Sequence, residues 1–132
     1  MFEFDKAQRL HSKKRIETLF RQGKSFLVFP LSVRYIIKNG EGSTEILVVC
    51  PKRYQKLAVN RNRIKRLIRE NYRLNSIELK TLAKQKGLNI DFSVSYVHKE
   101  MSNFVLIEKK MQEILSTLQK EILNYQNSKV QE

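Results

Sequence analysis

From Leu31 to Lys38 apolar and polar positions alternate. Leu31, Val33, Tyr35 and Ile37 stand against Ser32, Arg34, Ile36 and Lys38, the period of two of a strand with one buried face. The cluster "NGEGS" is a turn signal, and "TEILVVC" behind it predicts a second strand, so the pair is expected to form an antiparallel hairpin. Phe26–Phe29 predicts a short strand that Pro30 interrupts. A third main strand is expected in "NIDFSVSYV", where Ile90, Phe92, Val94 and Tyr96 alternate with Asp91, Ser93 and Ser95. Elsewhere the period is helical. Ile16, Leu19 and Phe20 follow it in a helix that Ser12 caps and Gly23 ends, with glycine suited to the left-handed position there. Residues 61–75 predict a helix capped by Asn60, and "LKTLAKQKG" is weakly helical up to Gly87. A long helix capped by Ser102 or Asn103 carries the stripe Phe104, Ile107, Met111, Ile114, Leu115, Leu118 and Ile122. Its charges balance, so it reads as core scaffold, with partner binding the lesser reading. A polar tail is expected from about Asn124. The order is α-β-β-β-α-β-α: an α/β (α+β) sandwich, one sheet of about four strands with three helices, in a single domain over residues 1–132.

Charge changes this picture. Twenty-six basic residues oppose 13 acidic ones, a net of +13 over 132 residues, and such a field favours polyanions, nucleic acid before anionic membrane. Residues 51–73 carry nine basic side chains and one acidic, and residues 1–24 carry seven and three. A charge serving solubility alone need not cluster in two blocks.

The denser block contains "AVNRNRIKRLIRENYR", residues 58–73. On a wheel with Arg61 at zero, Lys65 falls at about 40°, Arg69 at about 80°, Asn62 at about 100°, Arg73 at about 120° and Arg66 at about 140°. Ile64, Leu67, Ile68, Asn71 and Leu74 occupy the arc from about 220° to 340°, and Arg63 stands near 200° beside Glu70. One face is predicted to pack on the sheet and the other to form a cationic ridge. Arg61, Lys65, Arg69 and Arg73 adjoin on successive turns, and each like pair costs about 0.2–0.5 kcal/mol. Glu70 lies off that stripe. Phosphates along the ridge would remove the repulsion, and first-turn amides near Asn60–Arg63 could receive another. The competing reading is a solvated surface helix. Phe20, Tyr35 and Tyr54, each near a basic residue, are candidates to stack on bases; core packing is the plainer role for any one of them.

Other chemistry is poorly supplied. His11 and His98 are the only histidines, and Asp5 and Asp91 the only aspartates. No paired-carboxylate, zinc-ligand or phosphate-loop pattern is present. The lone Cys50 fits a small buried residue in a reducing, cytoplasmic setting. The N-terminus has no apolar signal region. No run approaches the roughly 20 apolar residues of a membrane helix. A nucleic-acid-binding protein without its own catalytic residues is expected; a protein nuclease acting alone or a membrane-surface helix fits less well.

"AVNRNRIKRLIRENYR" resembles the Arg-Asn-Arg helix of the bacterial ribonuclease P protein component, through Ala58, Arg61, Asn62, Arg63, Lys65, Arg66, Arg69 and Glu70. "RLHSKKRIETLFRQGKSF" is similar to that family's first helix and its Phe-Arg-x-Gly ending at Phe20–Gly23. "VVCPKR" is similar to its strand ending in a basic pair. The resemblance implies a protein that binds a large catalytic RNA, one protein per RNA, and assists removal of the 5′ leader from precursor tRNA. It implies catalysis in the RNA, with Mg2+ held there and no dedicated metal ligands on the protein. It assigns Arg61, Asn62, Arg63, Lys65, Arg66 and Arg69 to the catalytic RNA. Phe20, Tyr35, Lys52 and Arg53 go to a leader cleft between the first helix and the sheet, where Ile16 offers apolar contact in place of a second aromatic. It also implies a left-handed crossover around the second helix. A ribosomal-type RNA-binding protein without a processing role is the alternative.

Overall fold

The computed structural model describes residues 9–131, and the side chains of residues 9–125. The expectation for the extreme N-terminus lies, through Gln8, outside them. The elements run α1 (Lys13–Gln22), β1 (Lys24–Val28), β2 (Leu31–Asn39), β3 (Thr44–Val49), α2 (Ala58–Asn75), α3 (Ile77–Lys86), β4 (Leu88–Tyr96) and α4 (Phe104–Gln131). The four helices are one more than the pattern's three. A break at Ser76 (φ −90°, ψ −4°) separates α3 from α2, just where the Asn75–Ser76 pair is poor in helix propensity. As expected, α3 ends on Gly87, in the left-handed conformation (φ 63°).

The four strands lie in the order β1-β2-β4-β3. The expected hairpin between β2 and β3 is therefore absent. β4 lies between them, antiparallel to β2 and parallel to β3. The "NGEGS" segment is a spacer rather than a tight hairpin turn, because the side-chain oxygen of Asn89 accepts from the amides of Gly42 (3.0 Å) and Ser43 (2.9 Å). That pins the connection to the start of β4 and leaves one strand's width between its ends. The hairpin that does form joins β1 and β2.

One face of the sheet carries the core. Val33, Tyr35, Ile46, Val48, Phe92 and Val94 are buried there under α2, α3 and α4. The scaffold role of α4 holds: Ile107, Met111, Ile114, Leu115, Leu118 and Ile122 are all buried. Asn103 caps it by accepting from the Leu106 amide (3.0 Å), and the helix continues past Asn124 to Gln131.

The other face holds α1. Ser12 caps α1, accepting from the Arg15 amide. Gly23 ends it in an extended conformation (φ −68°), not the left-handed one. Glycine is needed there for space, since a Cβ would sit 2.4 Å from the Leu19 carbonyl oxygen and 3.0 Å from that of Tyr35. α1 is anchored by charge. Arg15 Nε donates to Asp91 Oδ2 at 3.0 Å, the same guanidinium pairs with Glu45, and Lys38 Nζ lies 3.6 Å from Asp91. The hydrogen bond to Asp91 is the main cause of a raised Arg15 pKa. Asp91 is 1% exposed, so removing its carboxylate strands Glu45, Arg15 and Lys38 in an unbalanced cluster. Asp91→Ala should lower unfolding free energy by about 3 kcal/mol in urea titration, whereas Lys38→Ala, with a half-exposed ammonium, should cost under about 1 kcal/mol.

Candidate nucleic-acid interface

α2 separates its two demands much as the wheel predicts, but turned. Ile64, Ile68, Asn71 and Tyr72 are buried, and Leu74, assigned to the buried arc, is exposed. The buried arc therefore runs from about 280° through zero to about 20°. α2 starts at Ala58 with Leu57 at the cap position and no side-chain cap. Asn60 lies inside the first turn and does not cap it.

The rotation sorts the cations. Asn62, Arg63 and Arg66 are exposed, and Lys65 and Arg69 are half-buried. Asn62 and Arg66 border two adjoining hollows. One, of about 430 Å3, is completed by Arg9, Arg69 and Glu70. The other, of about 390 Å3, is completed by Val59, Asn60 and Arg63. Arg63, remote from the stripe on the wheel, thus shares a surface with Arg66. Arg61 is turned toward the chain before the helix: its Nη1 donates to the carbonyls of Gln55 (3.0 Å) and Lys56 (2.8 Å). Arg73 pairs with Glu70, three residues away, so Glu70 closes the end of the stripe. That pairing is also the chief reason the Glu70 pKa is lowered. Arg69 also faces a like charge, Arg9. Burial first, then Arg9, lowers the Arg69 pKa.

Arg9 is a residue that sequence reasoning missed. It reaches α2 because the chain at Arg9 and Leu10 runs parallel to β3: Arg9 bridges Ile46, the Leu10 amide donates to the Ile46 carbonyl at 2.9 Å, and Leu10 is buried. The contact joins positions far apart in the chain, and no local periodicity announces it. Gln55 was also missed. It is buried, and its amide donates to the carbonyls of His98 (3.1 Å), Lys99 (2.9 Å) and Glu100 (3.3 Å), tying the loop before α2 to the loop before α4.

The cleft residues divide. Phe20 is 43% exposed, and Ile16 beside it on α1 is half-buried. Lys52 and Arg53 are exposed in a turn just after β3, where the Arg53 guanidinium lies 5.0 Å from the centre of the Tyr54 ring. Tyr35 belongs elsewhere. It is 7% exposed on the core face of the sheet and lines a separate hollow with Glu121 and Tyr125 of α4. Burial, then a hydrogen bond to Glu121, pushes its pKa up to about 12. Strand alternation is the reason: Tyr35 shares parity with buried Leu31 and Val33, so its neighbour Arg34 faces α1. Arg34 lies over Phe20, 5.8 Å from the ring centre, and its Nη1 donates to the Phe20 carbonyl at 3.1 Å. Register places Arg34 beside Ser93 and Leu47, with Leu27, Ser32, Ser95 and Val49 in the next row. Leu27 is exposed, and Ser32, Ser95 and Val49 are half-exposed. The floor is thus small and largely uncharged, with one cation at the wall.

The chain is similar to known proteins in sequence and in fold. The family model for ribonuclease P matches residues 4–119. The ribonuclease P protein component of Porphyromonas gingivalis is 35% identical over 117 residues, spanning 86% of this chain and 85% of that protein. That of Clostridioides difficile is 30% identical, spanning 86% and 93%. Among solved structures, an RNase P protein from Thermotoga maritima is similar with a TM-score of 0.62 and 25% identity, over 81% of this chain and 94% of that one. A Staphylococcus aureus RNase P protein mutant shares the fold, with a TM-score of 0.65 and 23% identity over 85% and 88%. The chain belongs to the ribonuclease P protein component family, as a member of the ribonuclease P holoenzyme with a role in tRNA 5′ processing.

Proposed function

We propose that this chain is the RNA-binding subunit of the holoenzyme and holds two RNAs on two surfaces. The outer face of α2, with Asn62, Arg63, Lys65, Arg66 and Arg69, takes the phosphate backbone of the catalytic RNA, and Arg9 extends it. Arg61 shapes the loop before α2 and keeps its remaining donors for phosphate. The cleft between α1 and the sheet takes the single-stranded 5′ leader of precursor tRNA. Phe20 and Ile16 supply its apolar wall, Arg34 the cation at that wall, and Lys52 and Arg53 the charge at the mouth. Cleavage belongs to the RNA with its Mg2+. Among the described residues no group of three His, Cys, Asp or Glu side chains is placed to hold a metal ion. No described helix is long and apolar enough to cross a membrane, and a cytoplasmic complex of one protein per catalytic RNA is the reading adopted.

The observation that carries this proposal is the separation of the two surfaces. The α2 cations border hollows on one side, while Arg34 and Phe20 face each other on another. Two polyanions repel one another, and a protein of net charge +13 that presents cations to both lowers that cost.

Reconstitution with the catalytic RNA tests it. Adding the protein should raise affinity for precursor over mature tRNA, and equal affinities would remove the cleft assignment. Arg34→Ala with Phe20→Ala should abolish most of that difference. Tyr35→Phe should leave it intact, while removal of the buried hydroxyl lowers stability by about 1 kcal/mol.

A salt series tests the helix. With roughly six phosphate contacts, log K for the catalytic RNA should fall by about 4 per decade of salt. Arg66→Ala with Arg69→Ala should flatten that slope by about 1.5. An unchanged slope would take the phosphates off α2.

A further inference from the structure

The loop between β3 and α2 carries three cations, Lys52, Arg53 and Lys56, close together. Of residues 51–57 Gln55 alone is buried, at 4% exposure. A polar side chain is placed that deep only with partners, and Gln55 has them on three sides. Its side-chain nitrogen donates to the carbonyls of His98, Lys99 and Glu100, between β4 and α4. A carboxamide nitrogen has two N–H bonds, so the three oxygens share them. Its main-chain amide donates to the Pro51 carbonyl at 3.2 Å, beside the Tyr54 amide at 3.1 Å, and these bonds close the turn that displays Lys52 and Arg53. Its own carbonyl accepts from Arg61 Nη1 of α2 at 3.0 Å. One residue therefore joins the turn at the cleft mouth, the head of α2 and the loop before α4.

We infer that Gln55 is a positioning residue for the substrate: it fixes the Lys52–Arg53 turn relative to α2, so that both cations are in place before the leader arrives. The inference rests on the assignment of the cleft to the leader. Lys52, Arg53 and Lys56 repel one another, and a segment of like charges spreads when nothing holds it. Backbone bonds within the turn set its shape. The side chain of Gln55 sets its place, by bonding it to the loop before α4. A single-stranded leader must itself be ordered on binding, and a turn already fixed in the free protein leaves less to order. The bond from Arg61 to the Gln55 carbonyl ties that fixed turn to the helix assigned to the catalytic RNA. The spacing between the two RNA surfaces is thus set at this residue.

Binding of precursor and mature tRNA to the reconstituted holoenzyme tests this. Gln55→Met keeps the length of the side chain and removes both donors. Q55M should lower the preference for precursor over mature tRNA about fivefold, the scale of ordering one freed backbone residue on binding, while assembly with the catalytic RNA changes by less than about twofold. Lys52→Ala with Arg53→Ala should also lower the preference. Adding Q55M to K52A/R53A should then change nothing, because a residue that acts through those two cations has nothing left to place. A merely structural role would add its own loss to theirs. Gln55→Lys returns donors to the three carbonyls and should recover the preference. Gln55→Asn keeps the carboxamide but is one methylene short, and it gives the same reading if Q55M does not fold. An unchanged preference, an equal loss of assembly, or an additive loss in Q55M/K52A/R53A would overturn the inference. If K52A/R53A itself left the preference untouched, the assignment of the cleft mouth to the leader would fail and the inference with it. A normal loss in K52A/R53A beside wild-type behaviour of Q55M would confine the failure to Gln55.

Discussion

Burial of Ile64, Ile68 and Tyr72 under the rest of the core decides which side of α2 is left for cations. An isolated segment with six basic residues and one acidic would form a poor helix, because like charges meet at every turn and helix nucleation is itself unfavourable. Each fully buried large side chain contributes roughly 1.5–3 kcal/mol, so three outweigh several repulsive pairs. The core thus forces the cations into register on the opposite side. The same anchoring explains why the charge need not be neutralised within the chain. Glu70 caps one end by pairing with Arg73, while Arg69 and Arg9 are held close despite their charge.

β4 imposes the second constraint. It lies between β2 and β3 with its apolar side chains in the core and Asp91 and Ser93 buried on the opposite face. A central strand with a buried carboxylate requires a cation on that face, and Arg15 on α1 supplies it. The ion cluster therefore does more than stabilise α1. It fixes α1 over the Glu45–Asp91 end of the sheet, and the rows that include Arg34, Ser32 and Ser95 lie beyond it. The cleft is what remains of a sheet face when one short helix, held by charge at one end, covers only part of it.

How much of this could be read from the chain follows from which interactions are local. The α2 cations, the alternation in β2 and β4, and the α4 stripe are repeats within one element, and all were legible. The hairpin expected between β2 and β3 failed because insertion of β4 depends on Asn89 reaching back to Gly42 and Ser43, more than 40 residues away. Tyr35 was chosen for its ring when its parity with Leu31 and Val33 already put it in the core; the same alternation, applied strictly, names Arg34. Arg9 and Gln55 act through backbone contacts with β3 and with the loop before α4, and nothing in their neighbours' pattern could have picked them out.

If the surfaces of α2 and α1 bind RNA as proposed, both need a source of selectivity. A phosphate contact is strong in low salt and weak in high salt, and it is blind to sequence. Counterion release alone would therefore leave this chain on any RNA at hand. Selectivity must come from groups whose contribution does not fade with salt. On the cleft side the Phe20 ring, Ile16, Leu27 and Val49 would serve; on α2 the carboxamide of Asn62, which borders both hollows, would. The cations and the uncharged groups share each surface instead of occupying separate ones, so the gain from burying an uncharged group would come only with an RNA that fits. A wrong RNA still meets the cations but leaves the apolar groups in water.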